Sequence, residues 1–260
     1  MNFFNTVLNS ITNFAVYREY AKESTGRALR YLLLVFTLLF IGYALKLAPA
    51  VGNVFSNLGQ EINVNVPDFR IVNGELEFKA KMPYIIKGDN NFILIVDTTG
   101  QLDETALNTH ANGAFVGKTK AVIKDQQQGI NTVDFTAFKG MEISKQSVLK
   151  FLPAIKKYIP LALALFYVFG FFAKLLTVLL LALIGLAIKG AASELKFNHM
   201  WGIACHALTL PMLLDLLKQL ALPQLPGFNF IYFGIAVFYV YRGVKAAKED
   251  RDDAGPVIPV

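Results

Sequence analysis

"YLLLVFTLLFIGYALKLAPA", residues 31–50, decides what kind of protein this is. Lys46 is its one charged residue. At ~1.5 Å of rise per residue, a helix of that length crosses the ~30 Å hydrocarbon core of a bilayer. Three further apolar stretches follow, at residues 158–188, 200–222 and 228–246. The 260-residue chain is 54% hydrophobic and 17% charged, with 22 Phe and one Trp. The excess of apolar residues is confined to those stretches, so the class is integral membrane protein with one polar domain. The run ends on Ala48-Pro49-Ala50, which has the small-residue character of a signal-peptide cleavage site. A secretory signal begins close to its charged region, whereas residues 1–30 precede this run, so a retained helix is expected.

Those first 30 residues fall into two parts. In "FFNTVLNSITNFA", residues 3–15, the apolar Phe3, Phe4, Val7, Leu8, Ile11, Phe14 and Ala15 share one side of a helical wheel. Asn5, Thr6, Asn9, Ser10, Thr12 and Asn13 take the rest. An amphipathic helix is predicted, lying in the headgroup region or packed on the protein's own cytoplasmic loops. A basic linker with Arg18, Lys22, Arg27 and Arg30 leads into the first span.

Residues 51–157 read as an ordinary folded domain, holding 12 Lys/Arg against 11 Asp/Glu. Neither that balance nor the chain's net +6 forms a basic stripe, so no nucleic-acid partner is expected. Asn73-Gly74 between two strand-like runs is a two-residue type I′ hairpin signal, which makes Gly74 a candidate structural residue. Beyond it Leu76, Phe78, Ala80 and Met82 alternate with charged residues, the pattern of a half-buried strand. Residues 92–96 read as a fully buried strand, 103–113 as helix or loop, and 115–135 as one further hairpin. Residues 144–158 read as a helix returning to the membrane.

The positive-inside rule orients the chain. Arg18 to Arg30, then Lys189 and Lys196, then Arg242, Lys245 and Lys248 flank the spans on one side, while "LPQLPG" between the third and fourth carries no basic residue. Both termini are expected in the cytoplasm and residues 51–157 outside. Lys156 and Lys157 lie in a long translocated domain, which is largely exempt.

Asp97, in "FILIVDTTG", invites a catalytic reading as a pump phosphorylation site or a protease aspartate. Outside the cell no ATP is available, and the pump motif needs Lys after the Asp. The protease motif needs Asp-Thr-Gly unbroken and a second such carboxylate, because two share the acid–base work. Asp97 is therefore expected to turn the chain after a core strand. His110, His199 and His206 lie at no metal-ligand spacing, the lone Cys205 lies in an apolar segment, and no Ser lies in a nucleophile elbow. No cofactor, metal or enzymatic activity is expected.

Lys174 and Asp215 interrupt the apolar spans. A charge at that depth needs a reason, and the two reach similar depth on antiparallel helices. An interhelical Lys174–Asp215 pair is one expectation. Asp215 with Lys218 on its own helix, or Lys174 snorkelling or facing a polar groove, are the others.

The aromatic "FFNTVLNSITNFAVYREY" start, "VPDFRIVNGELEF", "ILIVDTTG" and above all "ELKFNHMWGIACHALTLPMLL" carry a resemblance to the bacterial DUF1189 membrane proteins over nearly the whole chain. Trp201 followed by Ala207-Leu208-Thr209-Leu210-Pro211 is similar to that family's Trp…Ala-x-Thr-x-Pro pattern, which draws attention to His206 and Pro211. The resemblance implies a four-span envelope protein. Some members carry a maltodextrin-utilisation label, and Yip1-like membrane proteins offer an analogy for scaffolding through a similar proline-containing span.

The expected fold is thus an integral membrane protein, four-span and α-helical, with a small extracytoplasmic mainly-β (α+β) domain between spans one and two. Residues 1–30 form the cytoplasmic helix and linker, 31–50 the first span, 51–157 the domain, 158–188, 200–222 and 228–246 the later spans, and 247–260 a cytoplasmic tail. The expected role is an inner-membrane anchor or scaffold whose external domain binds or senses a protein partner or a second copy. A small transporter or its accessory subunit, as for sugar uptake, is the alternative.

Overall fold

The computed structural model describes residues 2–88, 92–126, 129–190, 193–222 and 225–252. Of the expected tail, residues 253–260 lie outside the described residues, as do residues 223–224 of the connector between the last two spans. Two compact units are present: Met1–Ala50 with Ile159–Val260, and Val51–Tyr158.

Among the described residues, four helical segments are long and apolar enough to cross a membrane: Thr25–Asn65, Ile159–Lys189, Phe197–Ala221 and Phe228–Glu249. The first, helix α3, differs most from expectation, because it runs unbroken past residue 50 and encloses Pro49. Hydropathy marks where an apolar run ends, whereas backbone hydrogen bonding continues until something blocks it. The block is Pro67, since a residue before proline, here Val66, is driven out of the α region.

In the helical unit the chain begins with helix α1, Phe3–Thr12, capped by the Asn2 side chain accepting from the Asn5 N–H at 2.9 Å. The helix predicted over 3–15 stops at Thr12. Asn13 is extended, and its side chain accepts from Ala15 N–H to start a 3-10 turn, Phe14–Val16, followed by α2, Tyr17–Lys22. The third membrane segment is two helices, α6 at Phe197–Ala207 and α7 at Thr209–Ala221. Pro211 has no N–H to offer the carbonyl of Ala207 four residues back. The Thr209 hydroxyl donates to the His206 carbonyl at 2.8 Å, and helical bonding resumes with Met212 N–H donating to Leu208 O at 2.9 Å. Helices α5, Ile159–Lys189, and α8, Phe228–Asp252, complete the unit.

Its core joins Tyr17, Leu32, Leu181, Met200, Ile203, Leu208 and Val240. Helix α5 exposes Phe166, Phe169, Phe172, Leu176 and Leu183, the surface that a lipid-facing helix presents. Where α2 crosses α6, a Cβ at Gly202 would lie 2.2 Å from the Tyr20 carbonyl oxygen, so glycine sets that approach.

The second unit holds two sheets. Strands β1, Phe69–Val72, β2, Glu75–Phe78, and β8, Glu142–Ser144, form an antiparallel sheet ordered β2-β1-β8. Val72 pairs with Glu75 around Asn73 and Gly74, whose φ angles of 54° and 84° are those of the expected type I′ turn. The alternation beyond the turn does not extend the strand past Phe78.

The second sheet is ordered β3-β4-β5-β6-β7: Tyr84–Lys87, Phe92–Val96, Asn112–Val116, Lys120–Asp125 and Gly129–Asp134. The single hairpin expected over 115–135 is three strands, because Gly117-Lys118-Thr119 makes a turn of its own. Strand β4 is covered on both faces from Ile93 onward, whereas Phe92 at its start is exposed, so the fully buried strand expected over 92–96 holds only in part. Ile93 and Ile95 pack with Leu107, Phe115 and Val122, while Val96 packs with Ile71, Leu76 and Phe135 from the direction of the smaller sheet. Its pairing with β5 is parallel, so the chain must cross over between them, through a 3-10 turn at Glu104–Leu107. Helix α4, Lys145–Lys156, starts at a Ser144/Ser147 capping box. The Lys145 ammonium donates to the Asn63 and Val66 carbonyls at 3.0 and 2.5 Å, satisfying groups at the C-terminal end of α3.

Candidate functional site

Asp97 directly follows β4, with its side chain buried. Its Oδ1 accepts from the Thr99 hydroxyl at 2.6 Å and the Thr99 N–H at 2.8 Å, and its Oδ2 accepts from the Leu102 N–H at 2.6 Å. The Thr99 hydroxyl first, then these N–H groups, hold the carboxyl below the usual carboxylate range. The acid stays ionised and fastens the first turn of the crossover. This is the turn the sequence led us to expect, and Gly74 likewise has a conformational role.

Lys174, on α5, does not touch Asp215. Its ammonium donates to the Tyr232 hydroxyl of α8 at 3.1 Å and lies 4.5 Å from that ring's centroid. Asp215, on α7, faces the same groove as Lys174, and no N–O approach within 4 Å joins them. Nor does Asp215 pair with Lys218, whose ammonium lies over the Phe228 ring at 5.9 Å.

The richest polar site is one that sequence reasoning did not assemble, centred on His206 in the last turn of α6. Pro211 ends the helix just beyond and leaves carbonyls to be satisfied. The imidazole is stacked between two phenol rings, Tyr20 of α2 at 3.6 Å and Tyr31 of α3 at 4.0 Å between centroids. Its Nδ1 lies 3.1 Å from Ser10 Oγ on α1, and its Nε2 lies 3.4 Å from Glu23 Oε2 just beyond α2. Ser10 Oγ donates to the Thr6 carbonyl at 2.8 Å and accepts from the Tyr31 hydroxyl at 3.1 Å. Tyr31 Oη is also 2.8 Å from Thr209 Oγ1. Tyr17 donates to the Ser10 carbonyl and Tyr239 to the Ile11 carbonyl, each at 2.8 Å. Burial first, then the neighbouring phenols, pushes the Tyr17 hydroxyl well above its usual range, so it remains a donor.

A serine, a histidine and a carboxylate in line are the components of a hydrolytic triad. Here they are enclosed: Ser10 and His206 are fully buried, the hydroxyl proton is committed to Thr6, and both imidazole faces are covered. The hydrogen bonds instead tie α1, α2, α3, α6 and α7 into one closed network, with Glu23 on the side nearest the surface. Among the described residues, no group of three or more His, Cys, Asp or Glu side chains could hold a metal ion.

The network also shifts the buried face of α1 from the one expected: Phe3 and Val7 stay inward, but the face turns toward the hydroxyl side. Thr6 and Ser10 turn inward with Phe3 and Val7, while Phe4 is 75% and Leu8 59% exposed. A helical wheel ranks residues by hydropathy and puts Ser10 among the outward polar positions. The hydroxyl pair at i,i+4 beside two apolar residues, with "YREY" downstream, is the signal that could have marked the inward face.

No curated protein and no solved structure matches the chain. The family model described as "Protein of unknown function (DUF1189)" matches residues 4–244, a stretch that includes Ser10, Lys174, His206 and Asp215. The chain belongs to the DUF1189 family.

Proposed function

We propose that this is a non-enzymatic protein of the bacterial inner membrane, with both termini cytoplasmic. Its β unit lies outside, between the first and second spans, and binds a partner chain there, while the helical unit anchors it. The orientation is supported by the distribution of Lys and Arg around the spans. The anchoring role is supported by the closed Ser10–His206 network, in which polar groups are spent on joining helices.

The observation that carries the partner reading is β7. It ends the five-stranded sheet, all six of its residues are exposed, and Ile130 is 65% exposed. Edge strands are usually guarded by lysine, proline or a bulge, and "GINTVD" contains neither lysine nor proline. An added strand from an envelope protein, or from a second copy, would complete the sheet. A photocrosslinking residue placed at Ile130 in whole cells should capture a discrete partner, and Thr132→Pro should abolish the adduct. Capture through the spans but never through β7 would sink the reading.

A transporter or transporter-accessory role is the second reading, favoured by Lys174 and Asp215, which line one groove without an ion pair between them. Uptake of solute into liposomes containing the purified protein would decide for it.

A further inference from the structure

The groove that Lys174 and Asp215 share lies wholly in the helical unit, is open on one side and has a volume of about 280 Å³. Helices α3, α5 and α7 wall it, with Phe36, Phe40, Tyr43 and Phe166 among a mainly apolar lining that also includes Gln219. Gly170 keeps one wall low: a Cβ there would meet Phe36 Cζ at 3.1 Å. Ionisable groups inside membrane helices face the bundle interior or a water-filled cavity and pair with one another or with backbone carbonyls. Lys174 instead turns to the Tyr232 hydroxyl and ring. Asp215, partly buried, makes no hydrogen bond or ion pair among the described residues. The lining therefore offers a cation and an anion that are apart from one another, in apolar surroundings where an uncompensated charge is costly.

That combination selects by charge. A simple anion drawn to Lys174 meets Asp215, and a simple cation drawn to Asp215 meets Lys174. A ligand that is neutral overall but carries both charges satisfies the two groups together. The volume is at the small end for ligand sites, which suits one compact molecule rather than a two-chain lipid. We propose that this groove binds a small zwitterion with an apolar side group, the chemistry of a hydrophobic amino acid. Its ammonium sits at Asp215, its carboxylate at Lys174, and its side group lies against the apolar lining. The site would serve a sensor as well as a carrier, and it does not rest on partner binding at β7.

The test is calorimetric titration of the full chain in mild detergent with three probes of one shape: phenylalanine, phenethylamine, which lacks the carboxylate, and 3-phenylpropionate, which lacks the ammonium. Phenylalanine should bind at least tenfold more tightly than either. Asp215→Asn should erase its advantage over 3-phenylpropionate, and Lys174→Met its advantage over phenethylamine. Absence of saturable phenylalanine binding, equal binding of the three probes, or preferences unchanged in both variants would each overturn the proposal. So would a groove found to retain only phosphatidylethanolamine through purification. If a variant fails to fold, the three-probe comparison on the native chain decides alone.

Discussion

Replacing Gly202 with alanine adds one methyl group where the structure has no room for it. The new Cβ would stand 2.2 Å from the Tyr20 carbonyl oxygen, whereas ordinary contact begins at 3.4 Å. The obstructing atom is backbone, so no side chain can rotate away, and α2 and α6 must separate by about an ångström. The same α2 carries Tyr20, whose ring stacks on His206 at 3.6 Å, so the separation loosens the polar network as well. Overpacking of this kind costs ~1–3 kcal/mol, and the upper end applies here. Alanine's better helix propensity returns ~1 kcal/mol, leaving a net loss of ~2 kcal/mol. For a chain of this size that lowers the melting midpoint by ~4–8 °C. The control is Gly234→Ala on α8, where nothing lies within 4 Å of the new atom and stability should hold or rise by up to ~1 kcal/mol. Thermal unfolding of both variants in one detergent, followed by circular dichroism, makes the comparison. A Gly202→Ala protein that melts at or above the native midpoint would refute the close-approach reasoning.

Ser10→Ala should destabilise the chain by ~1–3 kcal/mol in the same assay, because His206 Nδ1 loses its buried partner. Gly74→Val should cost a similar ~1–3 kcal/mol. It forces a branched residue to φ +84° with its Cβ 3.1 Å from the Phe135 carbonyl oxygen, and limited proteolysis of the full chain should cleave the β unit faster. Because folding lowers the Asp97 pKa, its contribution is fully present above the ordinary carboxyl value near ~4 and is lost as pH falls through the folded value. Asp97→Asn should therefore flatten the acid limb of the β unit's stability against pH; an unaltered limb would mean that the carboxylate's bonds contribute nothing. A reporter placed after Gly113 should read outside and one after Lys248 inside, and a cytoplasmic Gly113 would reverse the proposed orientation.

Features written in local chemistry were legible in the sequence. The Asn73-Gly74 turn, the Asp97 turn and the four apolar segments each follow from a few adjacent residues or from a long uniform run. What escaped was set by partners distant along the chain. Pro49 marks the end of an apolar stretch, yet α3 continues because a lone proline removes one bond while its neighbours keep theirs. Lys174 was recognised as needing a partner, but Tyr232, on the last helix, was invisible to depth matching with Asp215. The His206 site was hidden most thoroughly. Its ligating hydroxyl lies in α1, and hydropathy ranked Ser10 as a residue that faces away.

The Ser10–His206 hydrogen bond joins residues 196 positions apart. A ribosome adding ~5–20 residues per second needs roughly 10–40 s to make that intervening chain. Throughout that interval α1 has only its early partners Tyr17, Tyr20 and Tyr31, while His206 and Tyr239 are still to be made. Its polar stripe is without the histidine and Thr209, and Phe4 and Leu8 have no protein to cover them in either state. The polar network is therefore completed late in synthesis: α1 gains its full set of bonds only after the broken third span has delivered His206 and the last helix Tyr239.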